Sequence, residues 1–169
     1  MEALVIESDA PEAEEAATVK PRRKSSTSPT QRTLAECKRR GWPAGVVERH
    51  IPFPKPMGTK IDLFGVIDLI AIVPPQFDAD LVCLQLGYIL AIQATGGSGG
   101  AHAARRTKIL AEPRARQWVE AGGRLELWSW SKRVAHNQDG SKAKRPSWTL
   151  RVETYAEMVA SAQDDRQGA

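Results

Sequence analysis

The 169-residue sequence has little cysteine and lacks any apolar run long enough to cross a bilayer. Its two cysteines, Cys37 and Cys83, lack the spacing of a metal-binding knuckle and are too few for a disulfide framework, which predicts free thiols. A membrane-spanning helix needs about 20 apolar residues in succession. The stretch before Lys20 carries six acids and no base, unlike a secretory signal. These absences predict a cytoplasmic protein.

Nucleotide-binding signatures are also missing. The run GGSGG at residues 96–100 lacks the GK[ST] ending of a P-loop and the G-x-G-x-x-G spacing of a dinucleotide site. A nucleoside-triphosphate enzyme is therefore not expected. The glycines are instead expected to turn the chain at a strand end and to let backbone amides at the helix start approach a phosphate group.

Positive charge is what the sequence does have. The net charge is +4, and residues 20–40 carry eight bases against the single acid Glu36. Lysines and arginines that neutralise phosphates gain affinity by releasing counterions, so this composition favours a nucleic-acid partner. A basic surface that serves only solubility is the alternative.

The pattern along the chain predicts one α/β domain. Residues 1–29 are rich in Glu, Ala, Ser, Thr and Pro and predict a disordered tail; residues 30–160 form the domain and residues 161–169 a flexible end. Within the domain, hydrophobic periodicity and Gly/Pro boundaries predict an ordered series of elements. They are a helix capped by Thr30 and ending near Arg40, strands at 45–50, 61–73 and 88–95, helices at 101–110 and 114–121, strands at 124–131 and 147–153, and a short helix at 155–160.

Residues 61–73 read IDLFGVIDLIAIV and predict one central strand buried on both faces. We expect it to pair antiparallel with strand 88–95, with Asp68 opposite Gln93. Side chains alternate with a period of two, so Asp68, Gln93 and Thr95 converge on one face. A carboxylate in an apolar strand costs several kcal/mol unless it is paired or binds a metal. Metal binding is one explanation for Asp68, and pairing with backbone amides or an arginine is the other.

Asp62 lies on the same face of this predicted strand. Six residues along a continuous strand span about 20 Å, which is too far for Asp62 to share an ion with Asp68. Asp62 is therefore interpreted as a strand-entry residue beside Lys60, which is expected to touch DNA.

These segments resemble the PD-(D/E)xK nuclease superfamily, and within it the Holliday-junction-resolvase-like proteins of phages and bacteria. The matching pieces are the strand DLFGVIDLIAI, the tripeptide Gln93-Ala94-Thr95 in place of E-x-K, and the following basic helix. The resemblance implies a restriction-endonuclease-like mixed sheet with flanking helices, in α-β-β-β-α-β order. It also implies that Asp68 binds metal, that Gln93 holds the position of the second acid, and that Thr95 holds the position of the lysine.

The chain departs from the family pattern at these last two positions. Gln93 offers an amide oxygen without charge, and Thr95 cannot orient or activate water as a lysine does. Members of the superfamily tolerate Gln there and take the lysine from the next helix, which makes Lys108 and Arg106 the candidates. The acid that resolvase-like members carry in the first helix has no clear match; Glu36 and Glu48 are candidate replacements.

The resemblance implies a metal-dependent DNA endonuclease in which Asp68 and Gln93 hold Mg²⁺ or Mn²⁺. His102, Arg105, Arg106 and Lys60 are expected to contact DNA, with a surface histidine as the other interpretation of His102. Branched DNA and a homodimer are options that the family suggests. The alternative is a nuclease-fold DNA-binding protein without catalysis, and a third is an assembly protein that binds no nucleic acid.

Trp128 and Trp130 share one face of their alternating strand, and Trp148 lies on a neighbouring strand. Core packing is the main interpretation of this aromatic cluster, and stacking on unpaired bases is the alternative.

Overall fold

The computed structural model describes residues 27–51, 59–80, 83–97, 99–134 and 145–167. Most of the predicted N-terminal tail, residues 1–26, lies outside these ranges. The elements follow one another in this order: α1 (Pro29–Arg39), β1 (Ala44–Val46), β2 (Glu48–Ile51), β3 (Thr59–Asp62), β4 (Leu69–Val73), β5 (Gln76–Phe77), β6 (Cys83–Gln85), β7 (Tyr88–Gly96), α2 (Gly99–Ala111), α3 (Pro113–Glu120), β8 (Arg124–Arg133), β9 (Ser147–Thr154) and α4 (Tyr155–Gln167).

The main sheet has five strands in the order β1-β4-β7-β8-β9. Strands β7 and β8 are parallel and are joined through α2 and α3, whereas the other neighbours are antiparallel. The chain is thus an α/β protein with a mixed sheet and flanking helices, as predicted. The strand pairs β2–β3 and β5–β6 form two additional small sheets.

Two apolar clusters hold the helices against the two faces of this sheet. On one face, Cys37 and Leu34 of α1 pack with Leu69, Ile92 and the fully buried Trp128. On the other face, Ile109 of α2, Ala115 of α3 and Met158 of α4 pack with Ala91 and Leu127. Burying both faces explains why the central strands read as nearly continuous apolar runs.

The pairing of the two central strands has the predicted register. Leu69 lies opposite Ile92 and Val73 lies opposite Tyr88. The backbone N–H of Asp68 donates to the carbonyl of Ile92 at 3.0 Å, which continues the pairing one residue beyond β4. Asp68 therefore meets the segment around Gln93 as expected.

The prediction of one continuous strand at residues 61–73 was wrong. The chain reverses in a tight turn between β3 and β4, where Leu63 and Ile67 form an antiparallel bridge. Phe64 (φ 56°) and Gly65 (φ 74°) both have left-handed backbone conformations in this turn. Val66 and Ile67 are 1% and 0% exposed, so the turn is apolar because it packs into the core. A hydrophobic pattern cannot reveal such a turn.

Four further features differ from the predictions. The strand expected at 45–50 is two strands, with β1 pairing with β4 and β2 pairing with β3. The loop before β7 contains the β5–β6 hairpin. Ser28 rather than Thr30 caps α1, because Ser28 and Gln31 form a reciprocal capping box. Helix α4 continues to Gln167, beyond the expected end near residue 160.

The tryptophan cluster is divided between core and surface. Trp128 is fully buried, and the indole N–H of Trp130 donates to Thr33 Oγ1 of α1 at 3.0 Å. Trp148 is 41% exposed, and the Arg32 guanidinium lies 3.5 Å from its ring centroid. Core packing is therefore confirmed for Trp128 and Trp130.

Candidate functional site

The turn between β3 and β4 brings two carboxylates together. Asp62 ends β3 and Asp68 immediately precedes β4, and their side chains are in hydrogen-bonding contact. The predicted separation of about 20 Å was wrong because it assumed a continuous strand. The sequence signal for this contact was Gly65, a residue suited to the left-handed conformation of a tight turn.

Two donors from β7 meet the same oxygen of Asp68. Gln93 Nε2 donates to Asp68 Oδ2 at 2.5 Å, and the backbone N–H of Ala94 donates to it at 2.8 Å. Gln93 is 1% exposed. Its amide oxygen, Oε1, is buried and has no hydrogen-bond partner in the described part of the chain. An unpartnered buried amide oxygen thus belongs to the side chain that holds Asp68.

The pKa of Asp68 reflects this crowding. The pKa of Asp68 is raised to about 6, mainly by burial and to a smaller extent by the neighbouring Asp62 carboxylate. The Ala94 N–H and the Arg105 guanidinium act in the opposite direction, because both favour the charged form. The protonated form of Asp68 is therefore favoured relative to an ordinary aspartate when no cation is bound.

The donor set fits a hard divalent cation. Mg²⁺ and Mn²⁺ prefer carboxylate and amide oxygens, and this site provides Asp62, Asp68 and the unpartnered Oε1 of Gln93. Across the described ranges, no cluster of three His, Cys, Asp or Glu side chains suits a metal ion. The fit therefore depends on the amide of Gln93. Reversal of that amide exchanges its oxygen and nitrogen, so one side chain can serve Asp68 or an ion.

The basic residues of α2 are placed differently from one another. Arg105 is half-buried, and its charge lowers the pKa of Asp68. Arg114 holds down the pKa of Glu112, and the exposed Lys108 adds a smaller contribution to that lowering. Arg106 Nη1 lies 3.6 Å from Glu153 Oε1 on β9. Of the predicted basic residues, Arg105 is thus the one that the structure associates with the carboxylate pair.

Four other residues named in the sequence analysis lie in different parts of the structure. Thr95 is 8% exposed and lies on the same face of β7 as Gln93, two residues farther along. The backbone of Lys60 belongs to β3, but its side chain is outside the described part. Glu36 is paired with Arg39 and Arg40 on α1, where the first guanidinium holds its pKa down at about 2. The backbone of Glu48 lies directly opposite Asp62 in the β2–β3 register.

His102 is a buried residue rather than a surface one. It is 5% exposed; its Nδ1 contacts Ser129 Oγ and its Nε2 contacts Glu153 Oε2. Glu153 is also 5% exposed, and Arg106 provides its second partner. This cluster joins α2 to β8 and β9, and it satisfies a carboxylate that would be costly to bury alone. We call these four residues, His102, Arg106, Ser129 and Glu153, the histidine cluster.

The sequence analysis missed Ser129 and Glu153. Both are polar residues at inward positions of alternating strands, which was the available signal. Their partner His102 is 27 residues from one and 51 from the other, so nothing local in the sequence connects them.

No known protein family, curated protein or solved structure matches this chain. Among the helices of the described ranges, none is long and apolar enough to span a membrane.

Proposed function

We propose that this chain is a Mg²⁺- or Mn²⁺-dependent phosphodiesterase acting on DNA, with Asp62, Asp68 and Gln93 as the ion-binding residues. The observation that carries the proposal is the contact between the two carboxylates beside the unpartnered buried Oε1 of Gln93. Buried acids with raised pKa values cluster at functional sites.

The energetics of the carboxylate pair support a cation. Asp62 and Asp68 repel each other when both are charged, and burial adds a desolvation penalty for Asp68. The donors from Gln93 and Ala94 both reach Oδ2 of Asp68, so this acid is held in place from the β7 side. A site that is rigid and short of positive charge suits a divalent ion.

A divalent ion bound there would polarise a phosphoryl oxygen and lower the pKa of a bound water. Arg105, whose charge already reaches Asp68, is placed to stabilise negative charge developing on a phosphate. Of the two cations that the resemblance suggested for this role, Arg106 is paired with Glu153. Lys108 is exposed and is not among the main causes that shift the pKa of Asp68. The geometry therefore favours Arg105 over Lys108 and Arg106.

The proposal includes membership of the PD-(D/E)xK superfamily, in its resolvase-like branch. Supporting it are the mixed sheet, the antiparallel pairing of β4 with β7, and the position of Asp68 and Gln93 on these adjacent strands. The basic helix α2 follows β7 directly, as expected from the resemblance to PD-(D/E)xK nucleases.

A second candidate is a nuclease-fold protein that binds DNA without cutting it. The observation that favours it is Thr95, which occupies the position of the family lysine and is 8% exposed. A buried hydroxyl carries no positive charge to a reacting phosphate.

The test combines ion binding with cleavage. Calorimetry with Mn²⁺ is expected to show binding to the wild type and none to Asp68→Asn or Asp62→Asn. With Mg²⁺ or Mn²⁺, the wild type is expected to cut branched, single-stranded or linear DNA, and both variants are expected to be inactive. Asp164→Asn, an exposed acid on α4, is the matched control and should behave as wild type.

Circular dichroism should establish that each variant remains folded. Mn²⁺ binding without cleavage of any of the three DNA forms would favour the inactive scaffold. Absence of Mn²⁺ binding to the folded wild type would refute the ion site itself.

A further inference from the structure

A second polar site lies beyond the end of β7, away from the carboxylate pair. A pocket of about 200 Å³ opens there between the start of α2 and strands β8 and β9. His102 and Ser129 of the histidine cluster lie in its wall, together with Ser131, Lys132, Arg133 and Arg151. We call it the basic pocket.

The charge of the basic pocket is one-sided. Arg133 and Arg151 contribute two cations on the face of the sheet that carries Ser129, and none of the described residues that line the pocket is acidic. Lys132 also lines the pocket, but its Nζ lies 5.3 Å from the centroid of the Trp148 ring, on the α1 face of the sheet where Arg32 contacts the same ring. Two cations beside one concavity produce a positive potential that attracts an anion.

The nearest buried acid, Glu153, already has partners inside the protein. Glu153 forms its contacts with His102 and Arg106 inside the protein, so it does not neutralise the cations of the pocket rim. The same contacts fix the ring of His102, whose Nδ1 is held by Ser129. The floor of the pocket is therefore ordered by hydrogen bonds that do not require a ligand.

We propose that the basic pocket binds a phosphate group of a nucleic-acid strand. The volume of about 200 Å³ corresponds to several water molecules at about 30 Å³ each, which is room for one phosphate with part of its solvent shell. Arginine guanidinium groups and serine hydroxyls are donors that recognise phosphate oxygens.

The basic pocket and the carboxylate pair are arranged along one strand. Gln93 and Gly97 are separated by four residues of β7 and its continuation, or about 13 Å of extended chain. A nucleic-acid strand anchored in the pocket can then present a different phosphate to the carboxylates. The choice of a nucleic-acid phosphate as the anion rests on the proposed function, whereas the positive charge of the pocket does not.

Binding is tested in EDTA, so that cleavage plays no part. Fluorescence anisotropy would compare Arg151→Gln, Arg133→Gln and the double variant with the wild type, on a short labelled single-stranded DNA. We expect the double variant to bind about tenfold more weakly and to lower the salt slope by about 1 to 2, as for lost phosphate contacts. Lys38→Gln removes one exposed charge from α1, on the opposite face of the sheet, and should change affinity less than about twofold.

Comparing DNA with and without a 5′-phosphate identifies which phosphate the pocket holds. If the variants weaken binding of the DNA both with and without a 5′-phosphate, the pocket holds a backbone phosphodiester. If they weaken binding only of the 5′-phosphorylated DNA, the pocket holds a terminal phosphate. Affinities of the folded double variant equal to those of wild type for both DNAs would overturn the proposal.

Asp68→Asn separates this outcome from the fate of the proposed function. It is expected to retain DNA binding in EDTA while losing Mn²⁺-dependent cleavage. If the wild type neither binds Mn²⁺ nor cuts DNA, but the double variant still loses DNA affinity, the phosphate pocket stands and the phosphodiesterase proposal fails.

Discussion

The carboxylate pair and the histidine cluster both place acids inside the protein, but they satisfy them differently. Glu153 is 5% exposed and is contacted by His102 and Arg106, which supply compensating groups. Asp68 faces another acid, and its pKa is raised to about 6, first by burial and then by Asp62. Burial alone therefore does not distinguish a structural acid from a candidate ligand. The difference lies in whether the protein supplies the balancing charge.

Among substitutions that test this contrast, Glu153→Ala is expected to cause the largest loss of stability. Glu153→Ala leaves His102 and Arg106 without their carboxylate, and removing one partner of a buried pair costs about 3 kcal/mol or more. Urea denaturation would measure the loss in the free energy of unfolding. Glu120→Ala, which removes the acid of an exposed pair with Arg116, should have little effect. Equal losses in the two variants would refute the structural role of Glu153.

A divalent ion should stabilise the protein by binding at the carboxylate pair. At a concentration 100 times its dissociation constant, Mn²⁺ is expected to stabilise the wild type by about 2.7 kcal/mol, because it binds the folded state. Thermal unfolding with and without EDTA would measure this effect. Asp68→Asn should abolish it and Asp164→Asn should keep it. Equal stabilisation of both variants would place the ion elsewhere.

Removing the charge of Asp68 should stabilise the ion-free protein. The folded pKa of about 6 exceeds the ordinary aspartate value of about 3.9, so the folded state binds the proton more tightly. The stability of the wild type should therefore rise as pH falls from about 6 to about 4. Asp68→Asn should gain about 1 kcal/mol above pH 6, and this advantage should disappear below pH 4.

Denaturant titrations in EDTA at pH 8 and pH 4 would measure these differences. A lower stability of Asp68→Asn at pH 8 would contradict the interpretation of the pair as an electrostatic cost.

The smallest expected effect concerns the turn that joins the two acids. Gly65 has φ 74° with open space around its Cα, so Gly65→Ala meets no steric clash but strains the backbone by about 1 kcal/mol. Gly45→Ala is the matched control, since it also has open space but has no left-handed backbone. We expect weaker Mn²⁺ binding only in Gly65→Ala, measured by calorimetry. Unchanged affinity would show that the pair does not depend on the exact turn.

The sequence was sufficient for the α/β class, for the register of β4 with β7, and for the meeting of Asp68 with Gln93. These features follow from two-residue alternation and from the length of the apolar segments. It was insufficient for the contact of Asp62 with Asp68, because the intervening turn is as apolar as a strand and Val66 and Ile67 pack into the core. The histidine cluster was also missed, since its members come from one helix and two distant strands.

The short turn also affects how the protein folds. Asp62 and Asp68 are joined by a five-residue segment, Leu63–Ile67, so the entropy lost in bringing them together is small. Hairpins form within about 1–10 μs, whereas the parallel pairing of β7 with β8 must wait for the α2–α3 crossover to close. Gln93 reaches Asp68 through the antiparallel β4–β7 pair, which does not need that crossover, so the acids and their β7 donors can all meet before β8 joins the sheet. A divalent cation present at that stage would favour the β3–β4 reversal and speed the steps that depend on it.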